Sequence, residues 1–445
     1  EPKNNFTIGI IDDVTFTSLA LEDEVFTGNE DVKECLFFGL GSDGTVGANK
    51  NSIKIIGDKT DLYAQGYFAY DSKKAGGVTR SHLRFSKNPI RSTYLVTRPN
   101  FVACSAPAYL GKYDMISGLK EGGIFLLNTI WEKEKLIPSI PNEIKRELAR
   151  KKIKFFIINA TKLAKEIGLG NRTNTIMQSA FFYLSEVIPH EEAKEYMKEY
   201  AEKSYGRKGQ DIVQQNWNAI DRGIDGLEEV EVLPEWADLE VNEQIIEAAK
   251  PEFIKKIADP INLMKGNELP VSSIIENGMV DGSFQHGTAH YEKRGIADEV
   301  PEWQPDMCIQ CNQCAYVCPH AVIRPFLLDE EEMKKAPEGM PTIKALGRGM
   351  DGLEYKIQVS PLDCTGCSAC VDVCPAPRGK AIVMKSTQSQ IERNEIEYTD
   401  YLFNNVSYKD KILGKNTVKG SQFAKPLFEF SGACAGCGET PYIKL

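Results

Sequence analysis

The chain has 445 residues, of which 42% are hydrophobic and 26% charged, and its net charge is −10 at pH 7. That length holds roughly two to four domains with cores of their own, and the acidic balance speaks against a general nucleic-acid binder, which needs a basic face to neutralise phosphates. No apolar run reaches the roughly eighteen residues that cross a bilayer, and the N-terminus EPKNNFTIGI has neither the basic start nor the apolar core of a signal peptide. The expectation is a cytoplasmic protein that binds no membrane. The chain starts without Met and stops at ETPYIKL, as a piece of a longer polypeptide would.

In chain order, the first half alternates β-rich runs with helical periodicity, the pattern of an α/β domain with a mainly parallel sheet. Expected strands are FTIGIID from Phe6, CLFFGLG from Cys35, SIKIIG from Ser52, AQGYFAY from Ala64 and GGIFLLN from Gly122. Several are apolar on both faces, which suits buried parallel strands. Helices are expected over PNEIKRELARK from Pro141, TIMQSAFFYLSEVI from Thr175 and EEAKEYMKEYAEKSY from Glu191.

This domain is placed at 1–230. A Pro-, Gly- and acid-punctuated stretch at 231–299 reads as a small connecting domain. A cysteine-rich α+β domain follows at 300–390, and 391–445 is a polar link with a terminal segment.

Between Leu40 and Lys50 the run GSDGTVGANK carries glycines at 41, 44 and 47, with Gly39 just before it. Such a loop lets main-chain N–H groups and a helix N-terminus approach phosphate. It departs from G-x-G-x-x-G and no acidic ribose partner follows, so a plain tight turn is the alternative.

Ten of the 12 cysteines stand in C-x-x-C settings, which favours metal over disulfides. Cys35 and Cys104 stand alone in apolar surroundings and read as buried structural thiols. CIQCNQCAYVCP starts at Cys308, and CTGCSACVDVCP starts at Cys364. Each run reads C-x-x-C-x-x-C-x-x-x-C-P: three thiolates on one loop cap three corners of a cubane, and the fourth Cys serves the other cluster. One [4Fe-4S] cluster is therefore expected on Cys308, Cys311, Cys314 and Cys374, and another on Cys364, Cys367, Cys370 and Cys318.

Structural zinc is the rival, but it has no use for the third evenly spaced Cys or for C-P. The segment AVIRPFLL follows the first run and YKIQVSPLDC leads into the other; both have the pattern of paired strands in a bacterial-ferredoxin-like fold. DEEEMKKAPEGMPTIKALGRGM between them is expected to be a surface excursion. Two neighbouring clusters form a wire for electrons, whose source lies elsewhere.

The terminal SGACAGCGETPY holds a third C-x-x-C, Cys434 and Cys437, which alone is weak evidence. In the stretch GSQFAKPLFEFSGACAGCGETPY it resembles the pyruvate:ferredoxin (flavodoxin) oxidoreductase family, at the start of that family's thiamine diphosphate domain. GLGSDGTVGANKNSIKIIG, YFAYDSKKAGGVTRSHLRFS, IGLGNRTNTIMQSAFF and the order of the cysteine motifs resemble the middle of the same long polypeptide.

The resemblance implies oxidative decarboxylation of pyruvate to acetyl-CoA and carbon dioxide, a part in anaerobic metabolism, and electrons leaving through three clusters to ferredoxin or flavodoxin. It implies coenzyme A at the first domain, with Ser42, Asp43, Gly44, Thr45 and Val46 along its phosphates and Lys74 and Asn174 beside them. Lys73 is an alternative to Lys74, and Asn171 to Asn174. Bland readings are a solvated turn for the lysines and a helix cap for Asn174.

It further implies that Cys434 and Cys437 are two ligands of a third [4Fe-4S] cluster and that Glu439 touches thiamine diphosphate. The other ligands, the Mg-binding motif and the N- and C-terminal domains are missing from this sequence, and the complete enzyme is expected to be a homodimer. Two other readings stay open, a stand-alone iron–sulfur electron-transfer module and an oxidoreductase for a different 2-oxoacid.

Overall fold

A computed structural model describes residues 4–20, 30–41, 43–170, 172–240 and 250–444. Contacts divide the chain into two compact units, the first comprising 1–71 and 77–284, the second 72–76 and 285–445.

The first unit is built on a seven-stranded sheet. Its strands are β1 (Lys33–Leu40), β2 (Tyr63–Tyr70), β3 (Val78–Ser86), β4 (Phe101–Cys104), β5 (Ile124–Asn128), β6 (Lys154–Ile158) and β7 (Glu228–Val230), in the order β2-β3-β1-β4-β5-β6-β7. The four central strands β1, β4, β5 and β6 run parallel, while β2, β3 and β7 are antiparallel to their neighbours.

Both faces are covered, as a parallel sheet requires. One face meets α1 (Thr45–Lys59), α4 (Ala160–Ile167), α5 (Asn174–Ser185), α6 (His190–Tyr205) and α7 (Gln210–Asp221) around Phe37, Phe101 and Phe181. The other meets the β4–β5 connection, α2 (Lys133–Ser139) and α3 (Asn142–Arg150) around Phe125 and Phe155. Cys35 and Cys104 lie one in each core, and burial pushes both thiols up to about 12.

The expected strands from Cys35, Ala64 and Gly122 and all three expected helices are present. Two strands are not. Residues 52–57 form the second half of α1, because Ser52, Ile55 and Ile56 repeat with a helical period and all three are buried. Over 6–12 there is only a bridge from Thr7 to Ser18. The Asp12 carboxylate accepts from the amides of Val14, Thr15 and Thr17 and turns the chain there. β2 is an antiparallel edge strand and not a buried parallel one, with Tyr63, Tyr67 and Tyr70 exposed.

In the second unit, β8 (Glu299–Trp303) pairs with β12 (Ile382–Ser386), and β9 (Ile323–Leu328) pairs antiparallel with β11 (Glu354–Val359), so the two cysteine flanks are paired strands. Short helices α8 (Gln313–Val317) and α10 (Ala369–Asp372) carry the cysteine runs, and α11 (Thr387–Glu392) and α12 (Glu395–Asn405) follow. Half of the residues of the excursion at 329–350 are exposed, and it returns to the core at Met340 and Met350. Its helix α9 (Glu330–Lys334) opens with a capping box between Asp329 and Glu332, and β10 (Ile343–Lys344) adds to β11.

Candidate iron–sulfur centres and glycine-rich loop

The cysteine loops repeat each other in backbone as well as in sequence. After Cys308 the chain passes through left-handed Gln310 (φ 58°) and Asn312 (φ 61°) into α8; after Cys364 it passes through Gly366 (φ 67°) and Ser368 (φ 65°) into α10. These turns direct amides at sulfur. The N–H of Gln310 donates to Cys308 Sγ and that of Gly366 to Cys364 Sγ, each at 3.4 Å, and Ala381 N–H donates to Cys374 Sγ at 3.3 Å.

Cys308, Cys311 and Cys314 line one cavity together with Cys374, which comes from the far end of the second run. The other four thiols are neighbours, close enough that Cys318, Cys370 and Cys367 each add to the raising of the Cys364 pKa by burial. None of the eight is in a disulfide. Burial, reinforced by neighbouring thiolates, pushes Cys314, Cys364 and Cys370 upward, so these sulfurs shed their protons readily only beside a cationic centre.

Among the described residues no three His, Cys, Asp or Glu donors converge on a point that a single ion could occupy. Four separated soft donors around an apolar cavity suit a multi-iron core with one thiolate per iron.

Side chains that spacing did not reveal hold these loops. Buried Gln310 donates to Lys344 O at 2.7 Å and accepts from Leu346 N at 2.8 Å, fastening the excursion to the first loop. Tyr355 donates to Asn312 Oδ1 at 2.7 Å, and Asn312 donates to Lys419 O at 3.0 Å. The Trp303 indole borders the same cavity, its N–H has no hydrogen-bond partner among the described residues, and its nearness lowers the Cys308 thiol against the larger, opposing effect of burial. Lys444 donates to the carbonyls of Ala315, Tyr316 and Cys318, capping the end of α8.

The third C-x-x-C lies beside the Cys364 set. A Cβ built on Gly436 would sit 3.6 Å from Cys367 Cβ. Cys434 and Glu439 are exposed, and the amides of Thr440 and Glu439 lower the pKa of Cys437. His320, directly after the C-P of the first run, bonds through Nδ1 to Ser431 O at 3.0 Å, and its backbone carbonyl accepts from Phe430 N at 2.9 Å.

In the first unit the glycine-rich loop joins β1 to α1 at the carboxyl edge of the parallel strands, where ligands of open α/β sheets bind. Gly39 has no space for a side chain: a Cβ would lie 2.6 Å from Thr79 Oγ1 and 2.7 Å from Thr45 Cβ. Gly44 is left-handed (φ 88°), and a Cβ there would strike Asn174 Cγ at 2.9 Å. Gly44, Thr45, Val46 and Asn174 are thereby gathered at the start of α1, whose first-turn amides have no intrahelical acceptor. Asn174 is the first residue of α5, and its cap position is held by Thr173.

Asp43 faces inward. Its carboxylate accepts from Leu40 N (2.8 Å), Thr45 N (2.7 Å) and Thr45 Oγ1 (2.8 Å), while burial raises its pKa. Ser42 and Asn171 lie outside the described residues. Lys73 and Lys74 fold with the second unit, where Lys74 N–H donates to Gly432 O at 2.8 Å and Lys73 Nζ pairs with Glu292 at 2.9 Å.

A family model described as pyruvate ferredoxin/flavodoxin oxidoreductase matches residues 34–226, and one described as a 4Fe-4S dicluster domain matches 307–378. Residues 240–297 match a domain of unknown function. The chain is 53% identical over 445 residues to the pyruvate:ferredoxin oxidoreductase of Moorella thermoacetica. Over its whole length the chain is similar to part of a pyruvate:ferredoxin or pyruvate-flavodoxin oxidoreductase.

It is also similar to the pyruvate-flavodoxin oxidoreductases of Enterobacter agglomerans (52% over 446 residues) and Klebsiella pneumoniae (51% over 445). In all three alignments the whole of this chain is covered but only 37% of the relative, so the chain spans a little over a third of these oxidoreductases. The first unit contains the mainly parallel sheet and the second the iron–sulfur, ferredoxin-like domain. No described helix is long and apolar enough to cross a membrane.

Proposed function

We propose that this chain is the part of a pyruvate:ferredoxin (flavodoxin) oxidoreductase that receives coenzyme A and exports electrons, in a reaction that converts pyruvate to acetyl-CoA and carbon dioxide. The observation that carries the reading is Cys374, which lines the cavity of Cys308, Cys311 and Cys314 although it ends the other run. That exchange supports one [4Fe-4S] cluster on Cys308, Cys311, Cys314 and Cys374 and another on Cys318, Cys364, Cys367 and Cys370. When bound, these clusters supply one-electron storage and transfer. The sulfur-directed amides of Gln310, Gly366 and Ala381 disperse charge on the thiolates and favour the reduced state.

The approach of Gly436 to Cys367 supports the Cys364 set as the receiving end of the wire and the Cys308 set as the exit. Ile309, at the rim of the Cys308 set, is 47% exposed, which suits an exit toward ferredoxin or flavodoxin.

In this reading residues 1–230 form the coenzyme A domain, 231–299 the connector, 300–390 the two-cluster domain and 391–445 the approach to a thiamine diphosphate domain. The first-turn amides from Val46 onward and the side chain of Asn174 meet coenzyme A phosphates and polar groups, the Thr45 N–H being held by Asp43, and Lys74 is a separate candidate for the same cofactor. Asp43 acts by holding the loop in shape. Cys434, Cys437 and Glu439 await the rest of the enzyme, which brings the remaining cluster ligands, thiamine diphosphate and Mg, and its homodimeric partner.

Two measurements test this. Chain purified without oxygen should carry about eight iron and eight sulfide, and Cys367→Ala should retain about half of each; zinc in place of iron would sink the reading. Calorimetric titration with coenzyme A, and NAD as control, should give heat only with coenzyme A, weakened by Lys74→Ala.

A further inference from the structure

β11 alternates, and its polar face is buried. Lys356, Gln358 and Ser360 are each no more than 2% exposed, because α12 covers them. The Gln358 amide nitrogen donates there to Glu395 and Thr399. Lys356 is different. Among the described residues its ammonium makes no hydrogen bond or ion pair, and two aromatic rings hold it instead, Trp303 and Tyr398, each with its centroid 5.4 Å away. Burial lowers its pKa to about 8, with Glu395 opposing, so it is mostly protonated at pH 7.

A buried ammonium without a bonded anion costs stability, and a hydrophobic residue of similar length would avoid that cost. Cation–π contacts offset only part of it. Glu395 lines the same cavity as Lys356 and supplies part of the compensating charge without bonding it, and Trp303 leads from Lys356 to a second source. That ring borders the cavity of Cys308, Cys311, Cys314 and Cys374. A cubane with four thiolates is anionic and gains one further negative charge on reduction, so a cation one indole away stabilises the reduced form more than the oxidised one. The ammonium of Lys444, on the Cys318 carbonyl, acts on Cys318 and Cys314 and so on both sets, whereas the ring contacts of Lys356 include Trp303 at the Cys308 cavity and no residue of the Cys364 loop.

We propose that Lys356 is a fixed counter-charge that raises the reduction potential of the Cys308 cluster relative to the Cys364 cluster, drawing electrons toward the exit. The step it biases is a one-electron transfer from the reduced Cys364 cluster to the oxidised Cys308 cluster, with no bond made or broken. Lys356 is a poising residue and touches neither cluster. The inference rests on the two-cluster reading above and adds to it a direction.

The test is a redox titration followed by electron paramagnetic resonance on the protein purified without oxygen, with each signal assigned by loss in Cys308→Ala or Cys364→Ala. In Lys356→Met the reduced-to-oxidised ratio of the Cys308 cluster at fixed potential should fall about three- to tenfold, a tenfold fall being about 59 mV for one electron. The Cys364 cluster should be unmoved, and Lys356→Arg should keep the native value.

Lys356→Gln, milder in shape, should behave as the Met variant does and stands in for it if that variant does not fold. Unchanged potentials in a neutral variant with full iron content, or equal shifts at both clusters, would overturn the inference alone. Absence of iron–sulfur signals from the unmodified protein would remove the two-cluster reading and the inference with it.

Discussion

Replacing Asp43 by Asn changes one oxygen into an NH2 group and leaves the shape of the side chain alone. In the native loop one carboxylate oxygen takes Thr45 N–H at 2.7 Å, and the other takes Leu40 N–H and Thr45 Oγ1–H, both at 2.8 Å. The Thr45 hydroxyl can rotate and accept from the new amide. Leu40 N–H cannot; it would face a donor, and flipping the amide only transfers the conflict to Thr45 N–H.

One half-buried backbone donor left unpaired costs about 1–3 kcal/mol, partly offset because burial already disfavours the charge on Asp43. A net loss of about 1–2 kcal/mol in loop order corresponds to roughly a 5- to 30-fold rise in the Kd for coenzyme A. The sign discriminates. If Asp43 stood against the phosphates themselves, removing its negative charge would tighten binding. Isothermal titration of coenzyme A into the native protein and Asp43→Asn measures this directly, and equal or tighter binding by the variant would refute the loop-holding role.

His82 is 4% exposed, accepts Val96 N–H on Nδ1 at 3.2 Å, and has its pKa lowered to about 4 by burial and by Arg80 and Arg84. The unfolded chain therefore takes up this proton first, and stability that is full above about pH 6.5 should fall by roughly 2 kcal/mol at pH 5 and roughly 3 kcal/mol at pH 4. Urea midpoints at pH 7 and pH 5 should converge in His82→Gln, and an undiminished difference would assign the effect elsewhere. Glu34 and Arg84 form a buried pair at 2.7 Å, and Arg84 also bonds Gln65 and Tyr94. Glu34→Ala should cost about 3–5 kcal/mol in denaturant unfolding, most of it recovered in the double variant with Arg84→Met; a cost below about 1 kcal/mol would contradict this.

The cysteine motifs were legible because their chemistry is written in covalent spacing. The run from Cys308 to Pro319 leaves its last thiol aimed away, and Cys374 duly joins the other run's cavity. Periodicity was legible wherever burial followed the local element, as in α5 and α6. It failed at 52–57, where a short run of Ile reads as strand until the buried spacing across the whole of α1 is counted. On β11 the alternation was real, yet both faces are buried, because α12, some forty residues later in the chain, covers the polar one. Nor can spacing tell which way a carboxylate turns: Asp43 sits in the glycine-rich loop but spends its acceptors on the loop's own amides.

The two halves of the ferredoxin-like domain resemble copies, and at one position they have stopped being so. The left-handed turn after the first cysteine is made by Gly366 in one copy and by Gln310 in the other. A side chain there carries a conformational penalty of roughly 1–2 kcal/mol that glycine avoids, and Gln310 alone reaches out to Lys344 and Leu346. The loops are therefore no longer exchangeable parts. Transplanting the Cys364 loop into the Cys308 position would unfasten the excursion from the cluster it borders. A trimmed version lacking 329–350 would strand a buried amide, and would do better with Gln310→Gly, restoring the symmetry that the excursion displaced.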